Sequence, residues 1–166
     1  MQCAGSMTTE PQANAQEFRH ILVATDFSES SALAADMAVG LALKFGARLT
    51  LVHVHQPPIP WDGAGLNYPM VSLPDVREIV SKLLDEEHAR LRARWPNTEA
   101  ILVTGSPWEE IVHLAEQRGV DLVVMGTHGR RGISRALLGS VAERVLRMSK
   151  APVLTLRAPE APKKAA

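Results

Sequence analysis

DLVVMGTHGRRGISRALLGSVAERV, at residues 121–145, is the stretch that decides the fold of this chain. Its first five residues form a short apolar run of the kind that a strand buried on both faces shows. Gly126 and Gly129 then open a loop, which closes at Gly139 and Ser140, where apolar residues take up helical spacing. A strand that passes through such a loop into a helix gathers unpaired backbone N–H groups around one point. We therefore expect this point to bind an anion.

Strands and helices alternate along the rest of the chain. Apolar runs predict strands over residues 21–25, 49–54, 100–103, 121–125 and 153–156. Helices are predicted from the Ser28 cap to Gly46, from Pro74 to Pro96, from a capping box at Ser106 to Gly119, and from Ser140 to Met148. The alternation predicts an α/β protein with a single open five-stranded parallel sheet and helices on both faces, which is a Rossmann-like arrangement.

The helical spacing also predicts which side chains line one apolar face of three helices. In the first helix these are Ala34, Ala38, Leu41 and Phe45, with Leu33 and Met37 beside them. In the second helix they are Val76, Ile79, Val80, Leu83 and Leu84, and in the last helix Val141, Ala142, Val145 and Met148.

The length and composition of the chain limit the classes of protein to which it can belong. The chain has 166 residues, of which 46% are hydrophobic and 22% charged, as in an ordinary globular domain. Eighteen basic residues balance eighteen acidic ones, so the net charge predicts neither a nucleic acid nor a membrane as partner. Cys3 is the only cysteine, which excludes an internal disulfide and fits a reducing cytoplasm. No run suggests a signal peptide or a transmembrane segment.

Four parts of the sequence resemble the universal stress protein family. The glycine loop, Gly126-x-x-Gly129 followed after nine residues by Gly139-Ser140, is similar to the nucleotide signature of the ATP-binding members. ILVATDFS at residues 21–28 and LTLVHV at residues 49–54 are similar to the first two strands of the family. APVLTL at residues 151–156 is similar to the last strand. The resemblance covers residues 19–157 and implies a fold of the adenine nucleotide alpha hydrolase-like kind.

The resemblance also implies a set of ligand contacts. Ala24 and Asp26 would flank the adenine and ribose, and Val54 and Met125 would contact the base. The ribose and phosphates would be held by Gly126, Gly129, Gly139, Ser140 and Val141. The expected ligand is therefore ATP, with Mg²⁺ as a candidate companion of its phosphates, and no residue is assigned a catalytic role.

Each of these residues also has a simpler interpretation. The glycines are candidates for turns alone, and Asp26 is equally a candidate helix cap. Arg130, Arg131 and Arg135 are expected to be solvated more often than bound to phosphate, and His128 lacks an identifiable nucleophile to activate. His53 and His55 share a strand face, but two histidines make a weak metal site. Trp61 and Tyr68 would pack their long segment onto the protein or cover a bound base.

Our expectation for the whole chain follows from these points. Residues 18–158 form the universal stress protein domain, and residues 1–17 and 159–166 are expected to be disordered tails. The protein is expected to be a cytoplasmic, ATP-binding stress regulator with an unknown client protein. The alternatives are a slow ATPase and a scaffold without nucleotide. The apolar last strand predicts a homodimer, because an unpaired edge strand invites pairing with a second copy.

Overall fold

Five parallel strands form the centre of the protein, and their order is β3-β2-β1-β4-β5. The computed structural model describes residues 17–56, 73–127 and 138–158. The strands are β1 (His20–Ala24), β2 (Arg48–His55), β3 (Thr98–Thr104), β4 (Leu122–Gly126) and β5 (Val153–Leu156). Four helices lie in the described part of the chain: α1 (Glu29–Phe45), α2 (Leu73–Arg94), α3 (Pro107–Gln117) and α4 (Ser140–Met148). The predicted open, parallel α/β sheet is confirmed.

The core has two layers because the side chains of each strand alternate between the faces of the sheet. On one face, Ile21 and Val23 pack with Leu49 and Leu51 under the small residues of α1 and the later part of α2. On the other face, Leu22 packs in a second cluster with residues of α3 and α4. Burial on both faces explains why the strands have continuous apolar runs.

The ends of α1 follow the sequence signals. Ser28 is the N-cap, and its hydroxyl oxygen accepts a hydrogen bond from the Ser31 amide at 3.3 Å. Gly46 ends the helix in the left-handed conformation, with φ of +65°, and its amide donates to the Ala42 carbonyl. A residue with a β-carbon would be strained at this position, so glycine is the expected stop.

Some of the predicted helix faces are wrong. The centre of the α1 face is formed by smaller residues, Ala35, Ala38, Val39 and Ala42, while Met37 and Phe45 are 45% and 37% exposed. Alanines let the helix lie close to the sheet, and the larger side chains are left at its flank. Ile79 of α2 and Met148 of α4, which lie on the predicted apolar faces, are also more than half exposed.

The start of α3 is confirmed except for one hydrogen bond. Ser106 is the N-cap and Pro107 takes the first helical position, where the ring fixes φ and the missing N–H costs nothing. The Ser106 side chain makes no cap hydrogen bond, so the predicted capping box is not formed. At the other end of α3, Gly119 takes the left-handed conformation that was expected of it.

Two further expectations concern the ends of the chain and membranes. Apart from Glu17, the tails lie outside the described residues, as does the long segment that contains Trp61 and Tyr68. In the described part of the chain, no helix combines the length and the apolar character that crossing a bilayer requires.

Candidate functional site

The candidate site lies where the winding of the sheet reverses. β1 and β4 are neighbours at the centre of the sheet, and the helices that follow them, α1 and α4, pack on opposite faces. The carboxyl ends of these two strands are therefore the switch point of the sheet. Open α/β sheets bind their ligands beyond the strand ends at such a point.

Three predicted residues form an apolar floor at this edge. Ala24 is paired with Met125 on one side and with Val52 on the other, and Val54 lies two residues further along β2. All three belong to the cluster on the α3 and α4 face, and each is less than a tenth exposed. Only the ends of these side chains and their backbone can meet a ligand. This arrangement suits the flat face of an aromatic base better than a charged group.

Asp26 lies just beyond the end of β1 in a hydrogen-bonded turn. Its Oδ1 accepts from the Ser28 amide at 3.1 Å and from the Ser28 hydroxyl at 2.5 Å. Ser28 itself caps α1, so Asp26 supports the cap without being the cap residue. Asp26 is half-buried. The interpretation of Asp26 as the cap residue is therefore wrong, because Asp26 stabilises the start of α1 only through Ser28. Its carboxylate lies at the end of β1, where a ribose or base is expected to bind.

Gly126, the last residue of β4, is explained first by packing. A β-carbon at this position would lie 2.6 Å from the Ser30 hydroxyl oxygen and 2.9 Å from the Ser30 carbonyl carbon. The carbonyl carbon belongs to the backbone of α1 and cannot move aside like a flexible side chain. Gly126 therefore lets the first turn of α1 approach β4 closely, and its φ is not positive.

The start and the end of the glycine loop are joined by backbone hydrogen bonds. The Thr127 amide donates to the Leu156 carbonyl of β5, and the Gly139 amide donates to the Thr127 carbonyl, both at 2.8 Å. The chain thus leaves the sheet at Thr127 and returns beside it at Gly139. The intervening residues 128–137, with Gly129, His128 and the three loop arginines, lie outside the described residues.

The Gly139 amide has a partner within the protein, and the expected contact of this residue with a phosphate stays a prediction. Its amide already serves the Thr127 carbonyl, so it is not a donor waiting for phosphate. Its φ is −60°, so a positive φ is not the reason for glycine here. The donors that remain for an anion are those of the first turn of α4, beginning at Ser140 and Val141, where helical geometry provides no carbonyl partner. Ser140 is exposed at this helix start.

Among the described residues, two helix starts contribute positive charge at this edge. α1 and α4 both begin here, and each helix N-terminus carries a partial positive charge. Glu29 and Glu143 lie in the first turns of these helices and offset part of that charge. The two N-termini favour an anion placed between them, above the apolar floor.

Sequence reasoning assigned no role at the site to several residues. Thr127 joins β5 to the end of the loop, and Ser30 packs against Gly126. The sequence does show serines between Ser28 and Ser31 and a threonine after Gly126. Such residues are common in turns, so they did not indicate a site. His53 is buried, and its Nδ1 donates to the Thr25 carbonyl at 2.7 Å, which favours the structural over the metal-binding interpretation. Within the described residues, no three potential ligands cluster for a metal ion.

Comparison with known proteins identifies the family. The model of the universal stress protein family matches residues 17–157, which is most of the chain. The chain belongs to the universal stress protein family. It is 35% identical over 155 residues to the universal stress protein MJ0531 of Methanocaldococcus jannaschii, a match that covers 86% of this chain and 84% of the relative.

Solved structures of universal stress proteins have the same fold. A family member from Burkholderia pseudomallei is 33% identical, with a TM-score of 0.68 and coverage of 86% of this chain and 98% of that chain. A universal stress protein in complex with cAMP is 28% identical, with a TM-score of 0.65 and coverage of 86% and 99%. The family model and these two proteins agree on a domain that extends across β1 to β5.

Proposed function

We propose that this universal stress protein binds ATP at the carboxyl edge of β1 and β4 and that the bound nucleotide regulates its action in a stress response. The observation that carries the proposal is the combination of an apolar floor with two helix N-termini at the switch point of the sheet. An adenine nucleotide has the matching chemistry, since it joins a flat apolar base to an anionic phosphate chain.

The base would lie on the floor. Ala24, Val54 and Met125 supply apolar contact, and Asp26 stands beside them with a carboxylate that can accept from a ribose hydroxyl or an adenine amino group. The relative in complex with cAMP supports the adenine part of this assignment, because cAMP has the same base and ribose as ATP.

The phosphates would lie over the start of α4. The first-turn amides at Ser140 and Val141 and the Ser140 hydroxyl would donate to phosphate oxygens, and Gly126 would lie beneath them. Gly129 belongs to this proposal through the family signature alone. Mg²⁺ is proposed only as a companion of the phosphates, held mainly by phosphate oxygens and water, as Mg²⁺ commonly is.

The assembly we propose is a homodimer through β5. This strand is at one end of the sheet, all four of its residues are partly exposed, and three of them are apolar. A second copy related by a two-fold axis would pair with this edge and cover it. We further propose a cytoplasmic location, in keeping with a single cysteine, and regulation of a client protein that the sequence does not identify.

Calorimetric titration of ligand-free protein tests the function. ATP is expected to bind more tightly than AMP, and AMP more tightly than adenosine, because each phosphate adds charge-assisted bonds. Ser140→Ala is expected to weaken ATP by roughly three- to tenfold through the loss of one hydrogen bond and to leave adenosine unchanged. Ser106→Ala, at the start of a different helix, is the matched control and should leave both affinities unchanged.

Two results would decide against parts of the proposal. A folded, ligand-free protein that gives no heat with millimolar ATP would refute ATP binding and leave the scaffold alternative. Steady phosphate release over many turnovers, lost in Ser140→Ala, would favour the slow ATPase over a regulator that only binds.

A further inference from the structure

Phe27, between Asp26 and the Ser28 cap, has an unusual backbone conformation. Its φ is +62°, and it is the only non-glycine residue with a positive φ among residues 17–56, 73–127 and 138–158. A bulky residue rarely adopts this conformation, because its β-carbon approaches the backbone too closely. Such strain persists only where surrounding contacts hold it, and it is concentrated at functional sites.

Two contacts hold Phe27 in place. Its ring packs on the imidazole of His53, with ring centroids 4.5 Å apart and an angle of 30° between the planes. Its amide donates to the Thr25 hydroxyl at 3.1 Å. The same Thr25 accepts from His53 Nδ1 through its carbonyl at 2.7 Å, so the imidazole has a fixed orientation beneath the phenyl ring. Thr25 thus fixes both partners of the ring pair.

Phe27 lies between Asp26 and Ser28, two residues at the carboxyl end of β1 where the nucleotide is proposed to bind. Asp26 precedes Phe27, and Ser28 follows it and donates both its amide and its hydroxyl to Asp26 Oδ1. A change of φ at Phe27 would rotate the Asp26–Phe27 peptide relative to Ser28 and move these groups apart. The ring contact that holds Phe27 lies on the other face of the sheet, with β2.

We propose that the Phe27–His53 ring pair is a positioning device that sets the Asp26 carboxylate for the nucleoside part of the ligand. The inference rests on the proposed nucleotide function, and it assigns to Phe27 and His53 a role that requires no contact with the ligand. Phe27 would act through Asp26, so its effect on affinity should disappear when the Asp26 carboxylate is removed.

A double-mutant cycle tests this dependence. Phe27→Asn removes the ring but keeps a residue that tolerates positive φ, and Phe27→Tyr keeps the ring as the conservative control. Phe27→Asn is expected to weaken adenosine and ATP by the same factor, about tenfold, which corresponds to about 1.4 kcal/mol. Phe27→Tyr should bind like the wild type. In the Asp26→Ala background, Phe27→Asn should have no further effect on affinity, because interacting residues are not additive.

A second measurement does not depend on the ligand. The Ser28 amide donates to Asp26 Oδ1, so its hydrogen exchange should be faster in Phe27→Asn and unchanged in Phe27→Tyr. Unchanged Ser28 exchange in Phe27→Asn, or the same loss of affinity with and without the Asp26 carboxylate, would overturn the positioning role. Absence of any nucleotide binding by the wild type would instead refute the proposed function, while the exchange measurement would still decide whether the ring pair holds Asp26.

Discussion

His20 is the buried titratable residue at the amino end of the sheet, opposite the candidate site. Its Nε2 lies 2.7 Å from the Thr50 hydroxyl, which donates to Glu99 Oε1 at 2.7 Å. Its Nδ1 accepts from Arg48 at 2.9 Å and lies 3.2 Å from the Arg118 carbonyl. Burial lowers the pKa of His20, and the nearby Arg48 and Arg118 guanidinium charges lower it further, against the opposing effects of the Arg118 carbonyl and Glu99.

The first prediction concerns the pH dependence of stability that this histidine causes. Because its pKa is lowered in the folded state, the unfolded state binds the proton more readily, and folding is favoured when His20 is neutral. The free energy of unfolding should therefore fall as the pH falls below the ordinary histidine pKa of about 6.5. His20→Gln should lose less stability than the wild type over this range, as measured by urea unfolding at a series of pH values. Parallel curves for the two proteins would contradict the prediction.

Glu99 should affect the stability of the protein at lower pH than His20 does. Burial raises the pKa of Glu99, but the Thr50 hydrogen bond and the Arg118 charge outweigh it, so the pKa lies below its usual value. A carboxylate with a lowered pKa stabilises the fold above its unfolded pKa, and that stability is lost as the pH falls through the folded value. Glu99→Gln should therefore change the unfolding curve at more acidic pH than His20→Gln does.

The second prediction contrasts two glycines. Gly126→Ala would bring a methyl group to 2.9 Å from the Ser30 carbonyl carbon and should destabilise the protein by about 1–3 kcal/mol. Gly40, inside α1, is exposed and has nothing within 4 Å of the added carbon. Gly40→Ala should therefore stabilise the helix by up to about 1 kcal/mol. Thermal unfolding measures both changes, and a tolerated Gly126→Ala would show that α1 can move away from β4.

At the scale of elements, the third prediction compares two helix starts. Ser28→Ala removes an oxygen that accepts from the Ser31 amide and should cost about 1 kcal/mol. Ser106→Ala removes a hydroxyl that makes no cap bond and should cost clearly less. Equal losses in denaturant unfolding would mean that the Ser28 hydrogen bond contributes nothing beyond helix propensity.

The fourth prediction concerns the β5 edge. The Pro152 and Leu156 carbonyls accept from Val123 and Thr127, so the alternation of the strand directs the Thr155 amide away from β4. Thr155→Pro should therefore leave the β4–β5 pairing intact and remove a hydrogen bond between the two copies. The dimer of this variant should dissociate at a higher protein concentration than the wild-type dimer. Thr155→Val keeps the amide and is the control. Light scattering that shows a monomeric wild type, or a dimer unaffected by proline, would refute this interface.

The order and type of the elements could be predicted from the sequence because their signals are local. Ser28, Gly46 and Gly119 act within one or two turns of their own position, and the apolar runs reflect burial on both faces. The exposure of Met37, Phe45 and Ile79 could not be predicted, since it depends on how closely a helix approaches the sheet and not on spacing alone. Phe18, for example, gives Phe45 a ring contact at 5.2 Å on the flank of α1.

The site was predicted only in part, because some of its features depend on contacts between elements that are distant in the sequence. Strand order brings Ala24 and Met125 together, and the positions of the strand ends could be inferred from alternation. The hydrogen bond from the Gly139 amide to the Thr127 carbonyl could not be inferred in this way, because it depends on where the chain returns to the sheet. The closeness of Ser30 to Gly126 likewise depends on the approach of α1 to β4, which no local pattern encodes.

At the scale of the whole molecule, the sheet separates a polar cluster at the amino ends of its strands from the candidate site at their carboxyl ends. The amino edge holds the row formed by His20, Thr50 and Glu99, whose members satisfy one another through hydrogen bonds. The carboxyl edge holds the helix N-termini and the apolar floor. A ligand at the carboxyl edge should therefore leave the amino edge almost unperturbed, which provides an internal control for any measurement of binding.

The fifth prediction is the most direct test of the central claim that an adenine nucleotide binds at the carboxyl edge of β1 and β4. The measurement is the change in backbone amide chemical shifts when ATP is added to ligand-free protein labelled with ¹⁵N. The account predicts the largest changes at Asp26, Val54, Gly126 and Val141, and none of comparable size at Thr50 or Glu99. Changes centred on the amino edge, or no changes with millimolar ATP, would contradict it.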